Sequence, residues 1–199
     1  MKKQKFKFKQ LLNKYRSLFY EVKYLEEILL EGNQEFEIYY RRYCADNNID
    51  LEELNRSHAN KVETIFSNQS SVIKAIESKN NTEDFDSKDL FRQIAKRFHP
   101  DTLAIDDPLK NEYEEVFKKA SGAIDSGHWG ELFDIADQYD LDLENYEEMS
   151  LSLNLDIERI TKLVRKKKGS YAWLLYECEE NNDCKDNVVK KFLKHLFNI

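Results

Sequence analysis

Apolar residues recur along the first part of the chain at intervals of four and three: Leu11, Tyr15, Leu18, Val22, Leu25 and Leu29. That spacing is the seam of a coiled-coil-type helix, which needs a partner and finds it in a second copy or in an intramolecular hairpin. Glu31-Gly32-Asn33 predicts a stop, because Gly accepts the left-handed conformation after a helix and Asn caps the next one. A second helix carrying Phe36, Tyr39, Tyr40 and Tyr43 follows. The polar break Asp46-Asn47-Asn48 and the capping pattern Asp50-Leu51-Glu52-Glu53 start a third, with Leu54, His58, Val62 and Ile65 on one face. A helical hairpin or three-helix unit is expected. His58 reads as a partly buried core histidine, since no second ligand type lies beside it at helical spacing.

Residues 67–86, rich in Ser, Asn and Asp around Val72-Ile73-Ile76, read as a linker. Beyond it the pattern sharpens. Phe91, Ile94, Ala95 and Phe98 fall on one helical stripe, while Lys88, Arg92 and Lys96 repeat every four residues on another side, extended by Gln93 and Arg97. Pro100 ends this helix, as it lacks an amide hydrogen and biases His99 away from helical geometry, which leaves Asp101 exposed beside a basic face. After a polar loop from Thr102 to Pro108, a second amphipathic helix presents Tyr113, Val116, Phe117, Ala120, Ala123 and Ile124. The two helices predict an antiparallel pair with His99-Pro100-Asp101 at one tip.

A helix with Leu132, Phe133, Ile135, Ala136 and Tyr139 comes next, and Leu141–Leu155 reads as an acidic loop. The helix expected over Asp156–Lys168 ends in Arg165-Lys166-Lys167-Lys168-Gly169, a dipole-matched stop more than a phosphate site. Tyr171, Trp173, Leu174, Leu175 and Tyr176, then Val188, Phe192, Leu193, Leu196 and Phe197, predict a closing helical pair.

Five Gly and two Pro against 35% charged residues leave few of the punctuators that strands and turns require, so the predicted class is all-α. The formal charge of -7 and pI near 5.3 argue against general nucleic-acid binding, and the basic Met1–Gln10 segment reads as a solvated tail. Cys44, Cys178 and Cys184 form an odd set without a CxxC pair, which predicts reduced thiols in a cytoplasmic setting. Neither a zinc spacing, a membrane span nor a signal peptide is legible, and no cofactor is expected. His128-Trp129 reads as a turn and packing pair, with no catalytic residue assigned, and Cys178, Cys184 and His195 are too weakly spaced for a metal site.

The run from Phe91 to Asp101 resembles, position by position, the aromatic-basic-polar-aliphatic-Ala-basic-basic-aromatic-His-Pro-Asp segment of the J-domain of DnaJ-type co-chaperones. Val116 to Ile124 is similar to the helix that follows it in that family, with Phe117 in the place of the packing Phe. No family-like first helix carrying a Tyr and a Leu-Gly dipeptide is recognisable; either Val72–Lys79 substitutes for it or the N-terminal helices brace the pair. The resemblance implies a non-enzymatic protein that docks on a DnaK-type 70 kDa heat-shock chaperone and stimulates its ATP hydrolysis. Lys88, Arg92, Lys96, Arg97, His99, Pro100 and Asp101 would be the chaperone-binding residues. The alternative is a non-catalytic helical scaffold with a degenerate J-like domain. The expected organisation is an N-terminal helical extension (1–80), a J-domain-like region (81–140) and a C-terminal helical region (141–199), with an unidentified client or target protein as second partner.

Overall fold

The structure, a computed structural model, describes residues 2–56, 88–102 and 108–199. Among them it is all-α, with no strand: α1 (Lys2–Asp46), α2 (51–56), α3 (Lys88–Phe98), a 3₁₀ turn (Pro100–Thr102), α4 (Lys110–Asp125), α5 (Trp129–Gln138), α6 (Tyr146–Lys168), α7 (Tyr171–Tyr176) and α8 (Asn182–Phe197). The chain forms two compact units, Met1–Val22 with Thr82–Val164 and Lys23–Asn81 with Arg165–Ile199. Both units are discontinuous in sequence, because α1 and α6 are each long enough to contribute to both. His58, Val62, Ile65, the linker 67–86 and Val72–Lys79 lie outside the described residues.

In the first unit, the α3–α4 pair is as the pattern predicts. Leu90, Ile94 and Phe98 are buried, Val116, Ala120 and Ala123 meet them from α4, and Phe91 lies over Phe117 at 6.0 Å between ring centres. The turn into α5 is a Schellman stop: Gly127 takes φ +65°, its N–H donates to the Ile124 carbonyl, and the His128 N–H donates to the Ala123 carbonyl at 2.7 Å. α5 is buried through Leu132, Phe133, Ile135 and Ala136.

Two expectations fail in this unit. The basic N-terminal segment is a helix rather than a solvated tail, because Phe8 is fully buried against Phe133 and Tyr146, with ring centres 5.6 Å away in both cases, while Lys9 pairs with Asp137. Residues 146–155 are also helical, not loop. Their acidic surface conceals a seam of Met149, Leu153, Ile157, Ile160 and Val164, buried at helical spacing, so α6 starts ten residues before the expected Asp156.

In the second unit, α1 runs straight through Gly32. That glycine is buried near Ala172 of α7, whose carbonyl oxygen would lie in ordinary contact, 3.8 Å from a Cβ placed there, so Gly32 is an interior helical residue instead of a stop. The real stop is Asn48, at φ 55°, with the Ile49 N–H returned to the Cys44 carbonyl at 2.8 Å. Asp50 then caps α2 by accepting the N–H groups of Glu52 and Glu53. The closing pair forms as expected: Leu175, Val188, Val189 and Leu193 are buried, with Phe36, Tyr40, Tyr171 and Phe192 clustered beside them. Lys167 pairs with Glu26 and the Lys168 ammonium sits 5.9 Å from the centre of the Trp173 ring, so part of the basic run is structural.

Candidate functional site

The tip of the α3–α4 pair is built by the residues that end α3. The His99 N–H closes the last helical bond to the Ala95 carbonyl at 3.0 Å, and Pro100, with no N–H to offer, opens the 3₁₀ turn. The His99 ring stands edge-on to Phe117 with centres 4.9 Å apart, and its Nδ1 accepts the Asp101 backbone N–H at 3.2 Å. The turn is therefore held by one ring that packs on α4 and bonds within the loop, while the Asp101 side chain is 88% exposed with its carboxylate 3.7 Å from the His99 Nδ1.

The basic face is divided. Lys88, Arg92 and Lys96 are exposed on α3, Arg92 making a surface pair with Asp89 at 2.9 Å. Arg97, expected beside them, turns to the end of α5: its Nη1 donates to the Tyr139 carbonyl at 2.6 Å, and its guanidinium lies over the Phe98 and Tyr139 rings. Gln93 makes a reciprocal pair with the backbone of Asp142, donating to its carbonyl and accepting its N–H, both at 3.0 Å. The Tyr139 hydroxyl donates to Glu112 of α4. These bonds clip α3 to the chain leaving α5. Helical spacing alone set Gln93 and Arg97 on the basic face; the positions of the Tyr139 and Asp142 carbonyls have no signature in sequence.

A second polar cluster sits at the start of α5, where Asp156 is almost completely buried and accepts the Gly130 N–H while pairing with Arg159 at 3.0 Å. Burial raises the Asp156 pKa above its ordinary value, against the Gly130 bond and Arg159. Burial, with Arg159 nearby, lowers that of His128. His128 is the residue preceding α5 and makes no side-chain cap, so its place is the turn, as expected.

Cys178 and Cys184 are joined in a disulfide, which corrects the expectation of three reduced thiols: α7 and α8 are antiparallel neighbours that bring the two within 5.5 Å between Cα atoms. Cys44 remains a free, buried thiol. His195 faces the Tyr171 hydroxyl at 3.0 Å, and no group of metal-ligating side chains occurs among the described residues. No described helix is long and apolar enough to cross a membrane.

No family model, curated protein or solved structure matches the chain.

Proposed function

We propose that the protein is a co-chaperone of the J-domain type, binding a DnaK-type 70 kDa chaperone and accelerating the partner's own ATP hydrolysis. The observation that carries this reading is the tip itself: an exposed Asp101 on a turn fixed by His99 against Phe117, immediately after a helix with an exposed cationic side. Lys88, Arg92 and Lys96 would draw the helix to an acidic surface of the chaperone, chiefly speeding and orienting docking. Asp101 would then pair with a cationic group of the partner, with His99 and Pro100 preserving the loop's shape. The catalysis belongs to the partner.

A second reading, a helical scaffold whose J-like pair no longer stimulates a chaperone, is favoured by one observation. Arg97 and Gln93 are engaged in intramolecular hydrogen bonds at the surface, which leaves a narrower free basic face than the sequence pattern implies. Single-turnover ATP hydrolysis by a DnaK-type chaperone, with wild type against His99→Gln and Asp101→Asn, separates the two. Stimulation by wild type that both variants lose supports the co-chaperone; equal rates for all three leave the scaffold.

A further inference from the structure

The second unit carries a groove outside the surface just described. It is an open trough of about 840 Å³ between one face of α1 and the α7–α8 connection. Trp173 and Leu175 form its buried floor, while Ile38 is 68% and Tyr176 44% exposed on its walls. Ile38 and Tyr176, whose ring lies 5.2 Å from that of Trp173, leave apolar surface exposed on the same concavity that a partner would cover.

The rim gives the sign of what would cover it. Glu35, Glu177, Glu179 and Glu180 line the groove, against Arg42 and Lys185. Both cations are already engaged by one ring, with the Arg42 guanidinium 5.1 Å and the Lys185 ammonium 5.8 Å from the centre of Tyr39, and none of the four carboxylates is in an ion pair within the described residues. Glu179 and Glu180 lie within the short loop that the Cys178–Cys184 disulfide closes and Glu177 directly precedes it at the end of α7, so this part of the rim is restrained before anything binds. Preorganisation of that kind lowers the ordering cost of association.

We infer that this groove binds a basic amphipathic helical segment of a target protein, its apolar side on Ile38 and Tyr176 and its lysines or arginines on the glutamate rim. A helix is the element that fits, because Glu35, Ile38, Tyr39 and Arg42 form two turns of one helical face along which another helix can lie. The inference is independent of the reading of the α3–α4 tip: the groove would hold the protein on its target whether or not a chaperone is recruited.

The test uses the full chain with a fluorescein-labelled Lys/Leu amphipathic helix of about 18 residues, some five turns, and its Glu/Leu counterpart, followed by fluorescence anisotropy. Binding of the Lys/Leu peptide but not the Glu/Leu peptide is expected. Glu177→Lys with Glu180→Lys should raise its Kd by about tenfold or more, whereas Glu115→Lys with Glu144→Lys, the same charge change in the other unit, should alter it by less than about threefold. Ile38→Glu, at an exposed position, should weaken binding with unchanged helical circular dichroism, and keeps the test valid if the double variant misfolds. Three results would overturn the inference: no binding by the wild type, equal losses in both charge variants, or a wild-type dimer that Ile38→Glu dissociates, since a second copy would then be the occupant.

Discussion

Asp156, from the middle of α6, accepts the backbone N–H of Gly130 at 2.6 Å and so caps the N-terminus of α5 from another helix. His128 offers no side-chain cap of its own, and the buried carboxylate both satisfies an otherwise unpaired donor and lies at the positive end of the α5 dipole. Asp156→Ala should cost about 2 kcal/mol, the sum of a lost cap and a buried N–H without a partner. Chemical denaturation at neutral pH measures it.

The same residue sets a pH dependence whose sign is opposite to that of a salt-bridged surface carboxylate. Burial raises the folded-state pKa of Asp156 above 3.8, so the folded protein holds this proton more tightly than the unfolded chain does. The part of its contribution that depends on this proton is therefore greatest in acid and is lost as pH rises from about the unfolded carboxylate value through the raised one, while the bond to the Gly130 N–H persists at neutral pH. Asp156→Asn keeps an oxygen for the Gly130 N–H and removes the titration. The stability of Asp156→Asn relative to wild type should thus climb with pH across that window; a flat difference would show that Asp156 titrates normally.

Gly130 is required for a different reason. A Cβ at this position would overlap the Tyr15 ring, which lies on the glycine from α1. Gly130→Ala should destabilise by about 2 kcal/mol through overpacking, although alanine is the better helix former. In a double-mutant cycle with Tyr15→Leu the penalty should shrink, because the ring that clashes is gone. Additive losses would contradict the contact.

How far these features were legible depends on whether the sequence signal was local. The α3–α4 pair was readable because Ile94, Phe98, Val116 and Ala120 sit at regular helical intervals and Pro100 dictates the break. The seam on α1 was readable in part for the same reason: Tyr15, Val22, Leu25 and Leu29 are buried, but Leu11 and Leu18 are only half-buried and Leu12, off the expected seam, is fully buried. Gly32 misled because a glycine within a continuous helix looks the same in sequence as a glycine that ends one. Phe8 was hidden among lysines whose charged ends stay in water, and Met149 and Leu153 were hidden among acidic neighbours. At the candidate site, His99, Pro100 and Asp101 came from the motif, but the turn of Arg97 toward the Tyr139 carbonyl depends on where α5 ends, and that is a tertiary fact.

The Cys178–Cys184 link closes a short loop between α7 and α8, and a loop of this length gives about 2 kcal/mol by restricting the unfolded chain. Replacing both cysteines by serine should lower Tm by about 4–8 °C for a chain of this size. The change should be reproduced in the wild type by adding a reducing agent and should be absent when the same agent is added to the serine variant. Reductant-insensitive melting of the wild type would show that the pair is not bonded in solution.

The split of the basic face makes Lys96 and Arg97, adjacent in sequence, respond oppositely to alanine. Lys96 is exposed on α3, so Lys96→Ala should leave Tm unchanged within error, as surface substitutions do, and should reduce stimulation of a DnaK-type ATPase if α3 is the docking helix. Arg97 bonds the Tyr139 carbonyl and covers two aromatic rings, so Arg97→Ala should lower stability by about 1 kcal/mol through loss of a charged donor and its packing. Raising the ionic strength separates the two effects further: docking through Lys88, Arg92 and Lys96 to an acidic surface weakens with salt, whereas Arg97 bonds a neutral carbonyl and covers two rings, so its share of stability depends less on long-range charge. Melting curves and ATPase rates for both variants at low and high salt check all of this. A Lys96→Ala variant that melts early, or an Arg97→Ala variant that melts like wild type, would reverse the assignment of which cation holds α3 in place and which one faces a partner.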